Sequence, residues 1–212
     1  MTYTLYASPG SCSLAPHIVL EDIGSPYHVM YVSTDKGETK TAEFREVNPK
    51  GRVPVLAESG FILTEAPAIL LHLAQTSPSQ SLLQLDGDDL VRSVEWFNWL
   101  SGTVHAIAVR MIWRPEYFSD DPPQHPAIVE KGRQHLLEAF SLVEMKMGAR
   151  KWAVGDRYTV VDPYLLVFYR WGNRMLIDMQ HAFPAWTTHA KRLAERKPVQ
   201  DALSQENISL WA

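Results

Sequence analysis

Four groups of residues have the types and spacing to do chemistry. The first is the chain's only cysteine, Cys12, in Ser8-Pro9-Gly10-Ser11-Cys12-Ser13-Leu14-Ala15. A lone thiol makes no internal disulfide, so it is a small buried hydrophobe or a group kept for its reactivity. A helical pattern begins near Leu14, which puts the thiol at the positive end of a helix. That end would lower the ordinary thiol pKa of about 8.5, or hold another molecule's thiolate. Ser11 and Ser13 offer hydroxyls to a sulfur anion. Ala15, three residues on, stands where a dithiol motif would have its second cysteine.

The second group is Val53-Pro54. Proline at the first residue of a strand removes a ladder donor and belongs at an edge or beside a bound chain. The residue before it is held extended, with its N–H and C=O free to pair with an extended peptide. The third is Thr64-Glu65-Ala66, at a helix start. Glu65 is there a first-turn carboxylate, or it receives a ligand's ammonium while the Ala66 N–H receives its carboxylate. The fourth is Asn98, Gly102 and His105. Asn98 and His105 are two α-helical turns apart, hence on one face. The histidine is a packed structural residue or a polar group of a site.

The elements that position these residues follow from periodicity. Thr2 to Ala7 and Tyr27 to Val32 read as strands, and Leu14, Ile18, Leu20 and Ile23 as the face of a helix ended by Gly24. Ser33 to Thr41 reads as a mobile loop and Asn48-Pro49-Lys50-Gly51 as a turn. Val53 to Ala57 and Phe61 to Leu63 form a hairpin, and Thr64-Glu65 opens a helix running to about Gln75. The order is βαβ, loop, ββα: a parallel pair with a crossover helix, plus antiparallel strands. Ser/Pro-rich residues 76–81 mark the boundary. This gives an α/β domain over 1–78, a linker over 79–87 and an all-α domain over 88–212. Its helices are read at 88–113, 127–147, 161–176, 185–196 and 199–205. Thr159-Val160-Val161-Asp162 reads as a capping box with Asp in place of Glu, a structural device.

With 46% apolar and 21% charged residues, the composition is that of an ordinary soluble protein. A net charge of −4 gives no reason to expect nucleic acid. The cluster Lys191, Arg192, Arg196 and Lys197 reads as a solvated helix face. One cysteine fits a reducing compartment, hence a cytoplasmic protein. The N-terminus lacks the pattern of a signal peptide, and no apolar run approaches the ~20 residues of a membrane span.

Five motifs together resemble the cytosolic glutathione transferases, specifically the bacterial beta class, over essentially the whole chain. They are Gly10-Ser11-Cys12-Ser13-Leu14-Ala15-Pro16-His17, residues 48–56 around Val53-Pro54, Leu63-Thr64-Glu65-Ala66-Pro67-Ala68-Ile69-Leu70, Glu95-Trp96-Phe97-Asn98-Trp99 with His105, and Pro198-Val199-Gln200-Asp201-Ala202-Leu203. The resemblance implies a thioredoxin-like α/β domain followed by an all-helical domain, in a two-fold homodimer. It implies glutathione as co-substrate, small apolar electrophiles as partners, and no metal. Cys12 would lie beside the glutathione sulfur and form mixed disulfides with it, with Ser13 and His105 as further catalytic groups. Val53, before a cis bond to Pro54, would pair with the cysteinyl part, and Glu65 and Ala66 would hold the γ-glutamyl end. Lys36 or Arg52 would receive the glycyl carboxylate. Asn98, across the dimer interface, with Gly102 and Thr103 would line the same site.

Two positions depart from the beta-class pattern: Ala66 stands where Ser is common, and Ala106 where Lys often follows the helix histidine. The aromatics Trp96, Trp99, Trp113, Tyr117 and Phe118 suit an apolar electrophile site, or core packing. Conjugation of glutathione to electrophiles is the function expected. A thiol–disulfide enzyme with Cys12 as nucleophile, and a non-catalytic binder, are the alternatives.

Overall fold

The computed structural model describes residues 2–83 and 87–211. Strand β1 (Tyr3–Ala7) buries Tyr3, Leu5 and Ala7 in alternation and lies inside the sheet. β2 (Tyr27–Tyr31) runs parallel to it, with Leu5 opposite Val29. β3 (Val55–Glu58) runs antiparallel on its other side, with Leu5 opposite Leu56. β4 (Phe61–Thr64) completes the order β2-β1-β3-β4. Its connection to β3 is Ser59-Gly60, both at positive φ, which matches the strand twist. Thr2, Val32, Val53 and Pro54 lie outside the strands. Pro54 therefore stands just ahead of an interior strand, not within an edge strand, and its missing N–H costs no ladder bond.

The crossover helix α1 (Leu14–Ile23) is buried almost throughout, because both sides are covered. It packs on α3 (Ala66–Thr76) of its own domain and on α7 (Val161–Arg174) and α10 (Lys197–Gln205) of the helical domain. Gly24 closes it in the left-handed conformation, its N–H reaching the Leu20 carbonyl. The segment read as a mobile loop is tied down. The Ser33 N–H meets the Glu38 carboxylate at 2.6 Å, and Glu38–Lys40 forms a 3₁₀ turn. Helix α2 (Ala42–Val47) follows, capped by Thr41 Oγ1, which accepts the Phe44 N–H at 3.3 Å. Only Phe44 is buried in it, so it carries no apolar period to read.

In the helical domain, α4 (Gly87–Asn98) continues through a π-helical segment (Trp99–Val109) into α5 (Arg110–Trp113). The expected single rod is present, but its middle is wound i→i+5: the Arg110 N–H reaches the His105 carbonyl. α6 is His125–Met147, α8 Met179–Ala182 and α9 Pro184–Ala194. α7 is the central helix, with every side chain from Val161 to Gly172 buried. At its start the buried Asp162 accepts the Thr159 N–H at 2.7 Å, the Ala153 N–H at 2.9 Å and His189 Nε2 at 2.8 Å. Thr159 Oγ1 accepts the Val161 N–H at 3.3 Å, one residue short of the usual capping-box partner. The basic cluster is not simply solvated. Arg196 stacks on Tyr158 at 3.8 Å and bonds Asp22 of α1 at 2.6 Å, which ties the two domains together. α3 ends at Thr76 and α4 begins at Gly87. Residues 84–86 of the expected linker, with Met1 and Ala212, lie outside the described residues.

Candidate active site

The turn carrying Cys12 is fastened from within and from the far end of the chain. Ser13 is fully buried; its hydroxyl accepts the Ser8 N–H and donates to the Ser8 carbonyl, both at 3.1 Å, and lies 2.7 Å from Ser11 Oγ. Both serine hydroxyls therefore serve the turn. Gly10 adopts φ +70°, and a Cβ there would meet Arg170 Nη1 at 2.4 Å, so a side chain would be strained and would displace the Arg170 guanidinium. Trp171 Nε1 donates to the Gly10 carbonyl at 2.9 Å. The Gly10 N–H donates to Glu206 Oε2 at 2.6 Å, and Glu206 Oε1 lies 2.9 Å from His17 Nδ1. The His17 and Glu206 side chains are wholly buried. Nothing in the sequence pattern marks Glu206 or Arg170, because their partners are set by the tertiary fold.

Cys12 lies in this turn two residues ahead of α1, 9% exposed, and its S–H points to the Val53 carbonyl at 3.8 Å. Burial pushes the thiol up to about 12, with Glu65 adding to it; the Cys12 backbone N–H and Arg52 pull the other way and are outweighed. Burial therefore outweighs the helix end and favours the protonated thiol over the thiolate. The Val53–Pro54 bond is cis. The Asn48 side chain braces the turn before it, donating to the Arg52 carbonyl at 2.6 Å and accepting the Lys50 N–H at 3.1 Å.

Glu65 does not sit in the first turn of α3 but caps it, at φ +75°. That conformation costs a non-glycine residue ~1–3 kcal/mol and is concentrated at functional sites. It presents the Ala66 N–H at the helix start, while Pro67 supplies no N–H. The Glu65 carboxylate is paired with Lys50 Nζ, which also donates to Thr64 Oγ1 at 2.6 Å.

The helical domain supplies the opposite wall. His105 packs against Trp171, ring centroids 4.8 Å apart. Burial, with Arg110 and Arg52 adding to it, lowers its pKa to about 4, so the imidazole is neutral at neutral pH. Arg110 lies over the Tyr117 ring at 5.2 Å. Tyr164 is buried, and burial followed by the neighbouring Cys12 pushes its phenol well above the usual range.

A cleft of ≈ 280 Å³ lies between these walls. Of the residues expected at the site, it brings together Cys12, Arg52, Val53, Glu65, Ala66, Gly102 and His105. Ser13 is turned into the loop, Lys36 is exposed on the segment after β2, and Asn98 is exposed at the end of α4. Thr103 lines a separate apolar groove of ≈ 320 Å³ with Trp99 and Ile107. The wider π winding explains the parting of Asn98 and His105: seven residues are two turns only in an α-helix. None of Trp96, Trp99, Trp113, Tyr117 and Phe118 lines the cleft; its aromatic ring is Tyr164. Sequence reasoning also missed Arg110. Arg110 follows the π-wound segment, so no α-helical spacing from His105 or Ala106 places it in the cleft. Of two larger grooves, of ≈ 640 and ≈ 540 Å³, the first is lined by Trp96, and neither holds a residue expected at the glutathione site. Among the described residues no cluster of three or more His, Cys, Asp or Glu side chains could hold a metal, and no helix is long and apolar enough to cross a membrane.

Residues 1–75 match the family model of the glutathione S-transferase N-terminal domain, and residues 103–197 that of the C-terminal domain. Glutathione S-transferase GstA of Escherichia coli O157:H7 is 31% identical over 207 residues, 96% of this chain and 98% of that protein. A glutathione transferase homologue from Sulfitobacter, solved with bound glutathione, superimposes with a TM-score of 0.91 at 26% identity, covering 98% of this chain and 99% of that one. A beta-class glutathione S-transferase from Sphingomonas chungbukensis superimposes with a TM-score of 0.85 at 29% identity, covering 97% and 100%. With a thioredoxin-like α/β domain, a helical domain and both family models matched along its length, the chain belongs to the glutathione S-transferase family.

Proposed function

We propose that the cleft between the domains binds glutathione with its sulfur at Cys12, in the manner of the beta class. The chain is a transferase enzyme of its family, conjugating glutathione to apolar electrophiles. The observation that carries the placement is the convergence of Cys12, the cis-Val53–Pro54 edge and the strained Glu65–Ala66 cap on one cleft. An extended tripeptide laid along Val53 finds a carboxylate and a helix-start N–H for its γ-glutamyl end. Arg52 faces its glycyl end, with Lys36 the more distant candidate on its exposed segment. The dimer is supported by exposed Phe61, Ile62, Val91 and Val94. In that dimer, Asn98, exposed on its own protomer, and Thr103 serve the interface and the neighbouring site.

The chemistry is nucleophilic substitution by sulfur. The bound glutathione thiol gives its proton to solvent water, its sulfur forms a bond to the electrophilic carbon, and the leaving group departs with the bonding electron pair. Cys12 serves as a neutral S–H donor to the forming thiolate, since burial keeps its own proton in place. His105, neutral, is a second polar group nearby, and Ser13 acts by holding the turn. A thiol–disulfide enzyme would need Cys12 as the attacking thiolate, which its burial opposes.

The test is mass spectrometry of intact protein incubated with glutathione disulfide, alongside conjugation of an aryl halide. We expect one glutathionyl group on Cys12, formed slowly and removed by dithiothreitol, and conjugation that persists in Cys12→Ser. Loss in Cys12→Ser of the reduction of a glutathionylated disulfide, with conjugation retained, would favour the nucleophile reading instead.

A further inference from the structure

Two guanidinium groups reach the same cleft from opposite domains. Arg52 precedes the cis bond on the glutathione side, and Arg110 opens α5 on the helical wall. Among the described residues neither is paired with a carboxylate. The contact Arg110 does have, the Tyr117 ring, steers the side chain without neutralising it. The carboxylate that lines the cleft, Glu65, pairs with Lys50 and not with either arginine. Arg110 is held below its usual basicity first by burial and then by Arg52, which lines the same cleft. Guanidinium forks match carboxylates, and a confined pair of them concentrates anions.

We propose that Arg110 and Arg52 form a two-sided carboxylate clamp across the cleft, and that Arg110 makes the enzyme select a bound partner with a carboxylate at that end. The clamp rests on the glutathione reading of the cleft. The carboxylate comes from the glycyl end of glutathione or from an acid group on the electrophile. Arg110 also places a cation one turn from Ala106, where the lysine common in the beta class is missing.

The experiment compares kcat/KM for wild type, Arg110→Gln and Arg110→Lys. The electrophiles are 4-chloro-3-nitrobenzoate and its carboxamide, each with glutathione and with glutathione amidated at the glycyl carboxylate. Two preference ratios follow, acid over amide electrophile and acid over amide thiol. Each is taken within one protein, so partial loss of folded enzyme cancels. We expect Arg110→Gln to lower one ratio about tenfold, as for loss of one charge-assisted pair, with Arg110→Lys retaining most of it. Which ratio falls identifies the source of the carboxylate. Both ratios staying within about twofold of wild type in Arg110→Gln would overturn the clamp while leaving glutathione binding standing. A wild type that turns over neither thiol would overturn both.

Discussion

Replacing Glu206 by alanine should damage the active-site turn from the far end of the chain. Glu206 lies 196 residues from Gly10, yet its carboxylate takes the Gly10 N–H at 2.6 Å and faces His17 Nδ1 at 2.9 Å. Both side chains are shut off from solvent, so alanine leaves two buried polar groups without a partner. Each such group costs ~1–3 kcal/mol, and broken buried pairs cost ~3–5 kcal/mol as a unit. In a chain of this size each kcal/mol moves Tm by ~2–4 °C, so Glu206→Ala should melt ~6–20 °C lower. Glu206→Gln should be milder, at ~1–2 kcal/mol. Its amide oxygen still accepts from Gly10, and its NH₂ can donate to the other His17 tautomer. The active-site readout is the rate at which 4,4′-dithiodipyridine labels Cys12 under native conditions. A turn that opens more often should raise this rate ~10- to 100-fold in the alanine variant. Glu206→Ala with Tm within ~2 °C of wild type and an unchanged labelling rate would refute the reasoning.

Other perturbations read different parts of the site. His105 has a folded pKa of about 4 against an unfolded value near 6.5. The unfolded chain therefore binds the extra proton first, and stability falls as pH drops through that window, by up to ~3 kcal/mol. Urea unfolding between pH 4 and 7 should show this slope, and His105→Phe should flatten it. Glu65→Gly relieves ~1–3 kcal/mol of backbone strain and costs ~0.5–1 kcal/mol in chain entropy, so it should raise stability by ~1 kcal/mol. The same change should weaken glutathione binding at least ~10-fold by removing the carboxylate, a stability gain with a functional loss seen by calorimetry beside thermal melts. Ala66→Ser restores a hydroxyl at the start of α3 and should tighten glutathione binding by ~3-fold, measured in the same titration.

The sequence carried the layout of the fold because its signals are local. Alternation in Tyr3–Ala7, the apolar face of Leu14–Ile23 and the Ser59-Gly60 turn each lie within a few residues. α2 escaped because Phe44 alone is buried in it. The linking of Cys12, Val53, Glu65 and His105 came from the family resemblance and not from spacing. What remained illegible depends on tertiary surroundings. Burial, which no motif reports, reverses the pKa expected of Cys12 from its place at a helix start. Asn98 and His105 part company because residues 99–109 wind as a π-helix, and the α-helical period used to align them fails there. Tyr164 and Glu206 join the site through contacts spanning most of the chain, with no local mark at either end.

The central claim is that one cleft, built by Cys12, Val53–Pro54 and Glu65–Ala66, is the glutathione site. Its most direct test is calorimetric titration of reduced glutathione into wild type, Cys12→Ala and Glu65→Ala. The account predicts one glutathione per subunit in wild type, affinity in Cys12→Ala within about threefold, and a loss of at least about tenfold in Glu65→Ala. Binding unchanged in Glu65→Ala, or abolished in Cys12→Ala, would contradict it.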